Sequence, residues 1–266
     1  MRRALRFGFS STWDFCVFSL LIPVTLLAQV VPNSQRCGTK DARVPFVGCK
    51  SDGQAGPLEA PLGHSKEVKI PIQLDPRLAY YKARDGFGVL APRGWHCFAT
   101  YGSNGGNLYV SPDPISATLL FSSDWKGFTG PVIQLSDSSG DTSGRFAVAR
   151  MIARVFPAYS WFLRDVIDEG IEPASAFSSG PFPKDKLTYR SKRLAEFQTP
   201  ANEDGLGTAS WLLKTDMSIY GLVMLVGQTP DLVHLSMRLT PEIADLTPTI
   251  IKQLETEGHG SAVNGK

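Results

Sequence analysis

IYGLVMLVGQTPDLVHLSMRL, residues 219–239, holds two apolar runs, Ile219 to Val226 and Leu232 to Leu239, on either side of Gln228-Thr229-Pro230-Asp231. Two such runs joined by a short breaker-rich turn read as neighbouring antiparallel strands. Immediately upstream, Leu187 to Phe197 and Leu206 to Leu213 have the same character, separated by Asn202-Glu203-Asp204-Gly205 and followed by Lys214-Thr215-Asp216. Four successive strands are therefore expected. Downstream, a helix starting at Thr240-Pro241 or Thr247-Pro248 carries Ile250, Ile251 and Leu254 back against them, and the Gly-rich end after Glu257 is expected to fray. The fold class that follows is α+β: an antiparallel sheet packed by helices, sandwich-like, with an extended N-terminal segment.

Before a Pro/Ser/Gly connector at residues 171–186, Gly144 to Phe156 places Phe146, Ala149, Ile152, Ala153 and Phe156 on one helical face, clear of Arg145, Arg150 and Arg154. Ser143 is positioned to cap this helix and Pro157 to end it; a second helix runs from Ser160 to Glu169, with Gly170 as its stop. Further upstream, Phe87 to Leu90, Trp95 to Tyr101 and Leu108 to Ser111 read as a meander turning at Gly102 to Asn107. Thr118 to Phe121 and Val132 to Leu135 add two short strands, and Asp75-Pro76 opens a helix through Ala83. Regular structure begins at Val68, in a strand that Pro71 confines to a sheet edge.

The first 28 residues have the parts of a cleavable export signal: Arg2, Arg3 and Arg6, then an apolar run from Phe15 to Leu27, then Ala28. Cleavage is expected after Ala28 or a few residues later, near Val31 or Asn33. The alternative is an uncleaved anchor, because the charge-free stretch from Phe15 to Gln35 is nearly long enough to span a bilayer. Removing the signal takes Lys+Arg from 27 to 24 and Asp+Glu from 25 to 24, which leaves no cationic excess for nucleic acid. The parts expected are signal peptide 1–28, extended lead segment 29–66, globular domain 67–257 and flexible tail 258–266, in the periplasm or outside the cell. There Cys37, Cys49 and Cys97 allow one disulfide, and Cys49 to Cys97 is favoured because Cys97 lies in a strand; Cys37 is the alternative partner of Cys49.

Phe87-Gly88-Val89-Leu90-Ala91-Pro92-Arg93-Gly94-Trp95, together with the strand-strand-helix ending from Leu206 to Leu254, resembles the PsbP-like α/β/α sandwich family of exported or lumenal domains. That resemblance implies binding or assembly, not a reaction.

The residues themselves carry little catalytic signal. Ser138-Ser139-Gly140-Asp141-Thr142-Ser143-Gly144 matches neither nucleophile-elbow nor Gly-Asp-Ser-Gly chemistry and reads as a polar loop ending in a cap. His96 and Cys97 are strand neighbours and point to opposite faces, so the imidazole does not serve that thiol. His64, His96, His234 and His259 are isolated, and no metal ligand set or cofactor motif is expected. Asp165, Asp168 and Glu169 share a helix face that could meet a cation or partner. Arg150 and Arg154, one helical turn apart, could chelate an anion, and Trp125 and Phe128 lie in a loop where exposed rings would bind sugar, peptide or protein. These observations lead to an exported, non-catalytic binding or envelope-assembly protein whose partner is a protein or small ligand. The alternatives are an exported hydrolase whose polar residues meet only in three dimensions, and a membrane-tethered sensor that touches the membrane through an uncleaved signal.

Overall fold

The period-2 segments fold into two sheets in the computed structural model, which describes residues 39–264 and, within them, the side chains of residues 41–258. The expected signal segment, Cys16, Cys37 and the side chain of His259 lie outside the described residues. The four-stranded sheet contains β1 (Thr39–Gly48), β3 (Ser65–Pro71), β4 (Leu78–Lys82) and β5 (Val89–Pro92), in the order β3-β1-β4-β5. The eight-stranded sheet contains β2 (Ser51–Gly53), β6 (His96–Gly102), β7 (Gly105–Ser111), β8 (Val132–Ser138), β9 (Lys186–Ser191), β10 (Leu194–Thr199), β11 (Ile219–Val226) and β12 (Asp231–Arg238). Its order is β2-β6-β7-β8-β12-β11-β10-β9. Pairings are antiparallel except β1 with β4 and β2 with β6. The helices are α1 (Ala117–Leu120), α2 (Arg145–Val155), α3 (Ser160–Asp168) and α4 (Thr247–Asn264).

Strand alternation sends one set of side chains from the large sheet, including Leu108, Leu135, Leu222 and Leu235, into a core shared with Tyr80 and Leu90 of the small sheet and Ile250 and Leu254 of α4. On the other face, Phe197, Val223 and Leu225 pack under Val148 and Ile152 of α2 and Phe162 of α3. The chain crosses between sheets at Cys49. That residue's N–H donates to the Lys82 carbonyl at 2.9 Å, and its sulfur is bonded to Cys97 in β6, so the disulfide ties the two sheets together.

Several expectations are corrected. Regular structure begins at Thr39 rather than Val68: in β1 buried Ala42 and Val44 alternate with exposed Asp41 and Arg43, a pattern too short and too charged to stand out, and Arg43 pairs across the ladder with Glu67 at 2.8 Å. Residues 75–83 are not a helix. A 3-10 turn at Ile72–Arg77 leads into β4, whose Leu78, Ala79, Tyr80 and Tyr81 are all buried between neighbours and so show no period. Residues 118–120 belong to α1, capped by the Ser116 hydroxyl and followed by Phe121 as its C-cap, and not to a strand. β5 joins the small sheet, which leaves β6, β7 and β8 as the meander.

Gly144, not Ser143, is the N-cap of α2, where a Cβ would lie 2.3 Å from the Asn104 carbonyl oxygen, so no larger residue fits. The segment Leu187 to Phe197 is two strands, β9 and β10, folded into a hairpin. Leu206 to Leu213 is not a strand: the Leu206 N–H goes to the Asp185 carboxylate at 2.7 Å and the Gly207 N–H to Thr199 Oγ1 at 2.9 Å, so side chains take the donors a ladder would need. Both proposed helix starts near the C-terminus are used, since a 3-10 turn at Pro241–Leu246 runs into α4, which continues to Asn264.

Candidate functional site

The upper face of the large sheet changes character along its width. Under α2 and α3 it is apolar, but at β7, β8 and the adjoining part of β12 the same face carries Asn107, Gln134, Ser136, Ser138, His234 and Ser236. Register places Asn107 and His234 opposite Ser136, and Ser236 opposite Gln134, so these side chains share one side of the sheet. All of the polar strip except Ser236 floors a cleft of about 570 Å³. One wall is α2, with Ala147, Arg150, Met151 and Arg154; the others come from residues 176–182 and from the loop bearing Leu206, Ala209, Ser210 and Trp211.

The floor is fixed by its own hydrogen bonds. Gln134 Nε2 donates to Asn107 Oδ1 at 3.0 Å and to Ser136 Oγ at 2.9 Å, while the Ser136 hydroxyl donates to Asn107 Oδ1 at 2.7 Å. Gln134 Oε1 in turn accepts the Trp211 backbone N–H at 2.8 Å and so holds the opposite wall. His234 is 6 % exposed, and burial pushes it down to about 4, against the smaller opposing pull of the Leu206 carbonyl that accepts a hydrogen bond from the ring. The imidazole is neutral at pH 7, and its Nε2 shares a hydrogen bond of 3.0 Å with the Ser236 hydroxyl. A serine hydroxyl on an imidazole is the first element of nucleophilic catalysis. Ser236 is 1 % exposed and does not line the cleft, so here the contact orients the ring.

Arg150 and Arg154 both line the cleft, as their spacing suggested. Arg150 is held by Glu172 at 2.5 Å and lies over Phe177, whereas Arg154 donates to the Gly180 carbonyl at 3.2 Å and sits 4.2 Å above the Phe182 ring. Arg145 turns away to Glu169 at 2.7 Å, which neutralises the acidic end of α3 noted in the sequence; Asp165 and Asp168 remain exposed.

Trp125 and Phe128 do not line the cleft. They form an aromatic cluster with Tyr109 and Trp211, with Trp125 to Trp211 at 5.0 Å and Trp125 to Phe128 at 5.3 Å between ring centroids. Trp211 is the member that reaches the cleft, 47 % exposed at its rim. Sequence reading placed it inside a strand and missed it. Also missed is Arg238, fully buried, which donates to the carbonyls of Phe128, Gly130 and Leu213 and so clamps together the two loops that carry the cluster.

His64 and His96 are exposed and separate from the cleft, and no group of three or more His, Cys, Asp or Glu among the described residues is placed to share a metal ion. A smaller cavity of about 270 Å³ on the other side of the β6–β7 hairpin contains Asp85 and Asp137, the latter raised above the usual carboxylate range chiefly by burial. Comparison with protein-family models, curated proteins and solved structures finds no match for this chain.

Proposed function

We propose that this is an exported, non-catalytic binding protein whose small-molecule ligand sits in the cleft between α2 and the polar strip of the large sheet. The observation that carries the reading is the polar floor itself. Half-covered Asn107, Ser136 and Ser138 set hydrogen-bonding groups under a concave site, and the capacity they keep beyond the bonds they share with Gln134 is open to a polar ligand. The Cys49–Cys97 disulfide supports an oxidising compartment, in keeping with the signal-like N-terminus. The PsbP-like resemblance is part of the same proposal, supported by the β11–β12–α4 ending, and it favours binding over reaction. Among the described residues no helix is long and apolar enough to cross a membrane.

Thermal-shift screening of polar metabolites tests the proposal, with Ala209→Trp, a change at an exposed position of the cleft wall, as the partner protein. Ligands are expected to raise the melting temperature of the wild type and not of the variant. Equal stabilisation of both proteins by every hit, or no hit at all, would refute binding in this cleft.

A further inference from the structure

Resting on that reading, we infer that the ligand is a carboxylated saccharide of the uronic-acid class, with its carboxylate on Arg154 and one ring face on Trp211. Charge decides the first half. The cleft is lined by two arginines and by no aspartate or glutamate. Arg150 is compensated by Glu172, but no carboxylate among the described residues stands within ion-pair distance of Arg154. Arg154 is instead oriented by a carbonyl and by the face of Phe182, which fixes the planar guanidinium while leaving its charge unanswered. One uncompensated cation matches a monoanion better than a phosphate dianion.

The shape and polarity of the remaining walls decide the second half. Trp211 presents an open ring backed by Trp125, Phe128 and Tyr109, and its backbone is held by Gln134, so the platform is rigid before any ligand arrives. A rigid aromatic face suits the apolar face of a pyranose. The floor opposite is neutral and hydroxyl- and amide-bearing, with Ser136, Ser138 and Asn107 supplying donors and acceptors over a width that one carboxylate does not use. A fatty or aromatic acid would cut the remaining hydrogen-bonding capacity of these groups off from water, at a cost in affinity; a polyhydroxylated ring would use it.

Calorimetry on the full chain tests this with glucuronate and galacturonate against glucose and galactose, and with benzoate and adenosine monophosphate as competing chemistries. The uronates are expected to bind about tenfold or more tighter than the neutral sugars, the worth of one charge-assisted contact. Arg154→Gln removes that preference, so that charged and neutral sugars bind alike, while Trp211→Ala weakens both; circular dichroism confirms that each variant is folded. Equal affinity for charged and neutral sugars, preference for benzoate or the nucleotide, or no uronate binding at millimolar concentration overturns the ligand class. If hits from the thermal-shift screen still depend on the open cleft, the binding reading survives that failure. Uronate binding undiminished in Ala209→Trp would sink both.

Discussion

Acidification should weaken this fold through His234. In the native state the buried ring titrates at about 4, whereas in the unfolded chain it returns to about 6.5. Between these values the unfolded chain takes up a proton that the native state refuses, so stability is full above about pH 6.5 and falls as the pH drops toward 4. A separation of about 2.5 units corresponds to about 3 kcal/mol. Asp137 and Asp185, both raised chiefly by burial, act in the opposite sense, since each favours the native state at low pH and loses that contribution as the pH rises. The informative quantity is therefore a difference. Urea unfolding of wild type and His234→Gln, measured from pH 7 to pH 4, should show the wild type losing about 3 kcal/mol relative to the variant, because the carboxyl contributions are common to both. A difference that changes by less than about 1 kcal/mol over that range would mean that the ring is not held neutral by burial, and the account of the cleft floor would fail with it.

Removing the disulfide with Cys49→Ala/Cys97→Ala frees a loop whose ends are 48 residues apart, and urea unfolding should show a loss of about 4 kcal/mol; under about 1 kcal/mol would mean that the sheets need no covalent tie. Arg238→Met takes away the guanidinium that the Phe128, Gly130 and Leu213 carbonyls share, although the Phe128 carbonyl keeps the Leu213 N–H, and should cost about 3 kcal/mol, with loss of near-ultraviolet circular dichroism from the Trp125–Trp211 pair; an unchanged spectrum would refute the clamp. Gly221→Ala should fail to fold or become protease-sensitive, because the new Cβ would lie 1.8 Å from the Leu235 carbonyl oxygen on the adjacent strand; a variant with wild-type protease resistance would refute that close approach.

The elements legible in the sequence were those with one dry face and one wet face. β11 and β12, flanking a breaker-rich turn, and α2 and α3, each with an apolar stripe, were readable because burial imposed a period on them. β4 was not, since both of its faces are buried and Leu78 to Tyr81 carry no alternation; nor was the segment Leu206 to Leu213, whose apolar residues suggest a ladder while Asp185 and Thr199 take its backbone donors. For the cleft, the one-turn spacing of Arg150 and Arg154 was a usable signal. The floor was invisible because Gln134, Ser136 and His234 occupy alternate strand positions that read as solvent-facing, and only the helix and loops beside them turn that face into a cleft. Trp211 and Arg238 become meaningful only through long-range contacts with residues 125–130.

The alternation that separates cleft from core along β7, β8 and β12 also sets which genetic changes this protein tolerates. Substitutions at Ser138 alter what the cleft offers a ligand, and those at Ser136 alter that and the hydrogen bonds of the floor, while the neighbours Leu135 and Asp137 project to the other side of the sheet. Deleting a single codon within β8 exchanges the two sets beyond the lesion, driving polar groups into the core and leucine into the cleft. Natural or laboratory diversification of ligand preference should therefore proceed through point replacements at Ser136 and Ser138, with insertions and deletions confined to the loops that form the cleft's outer walls.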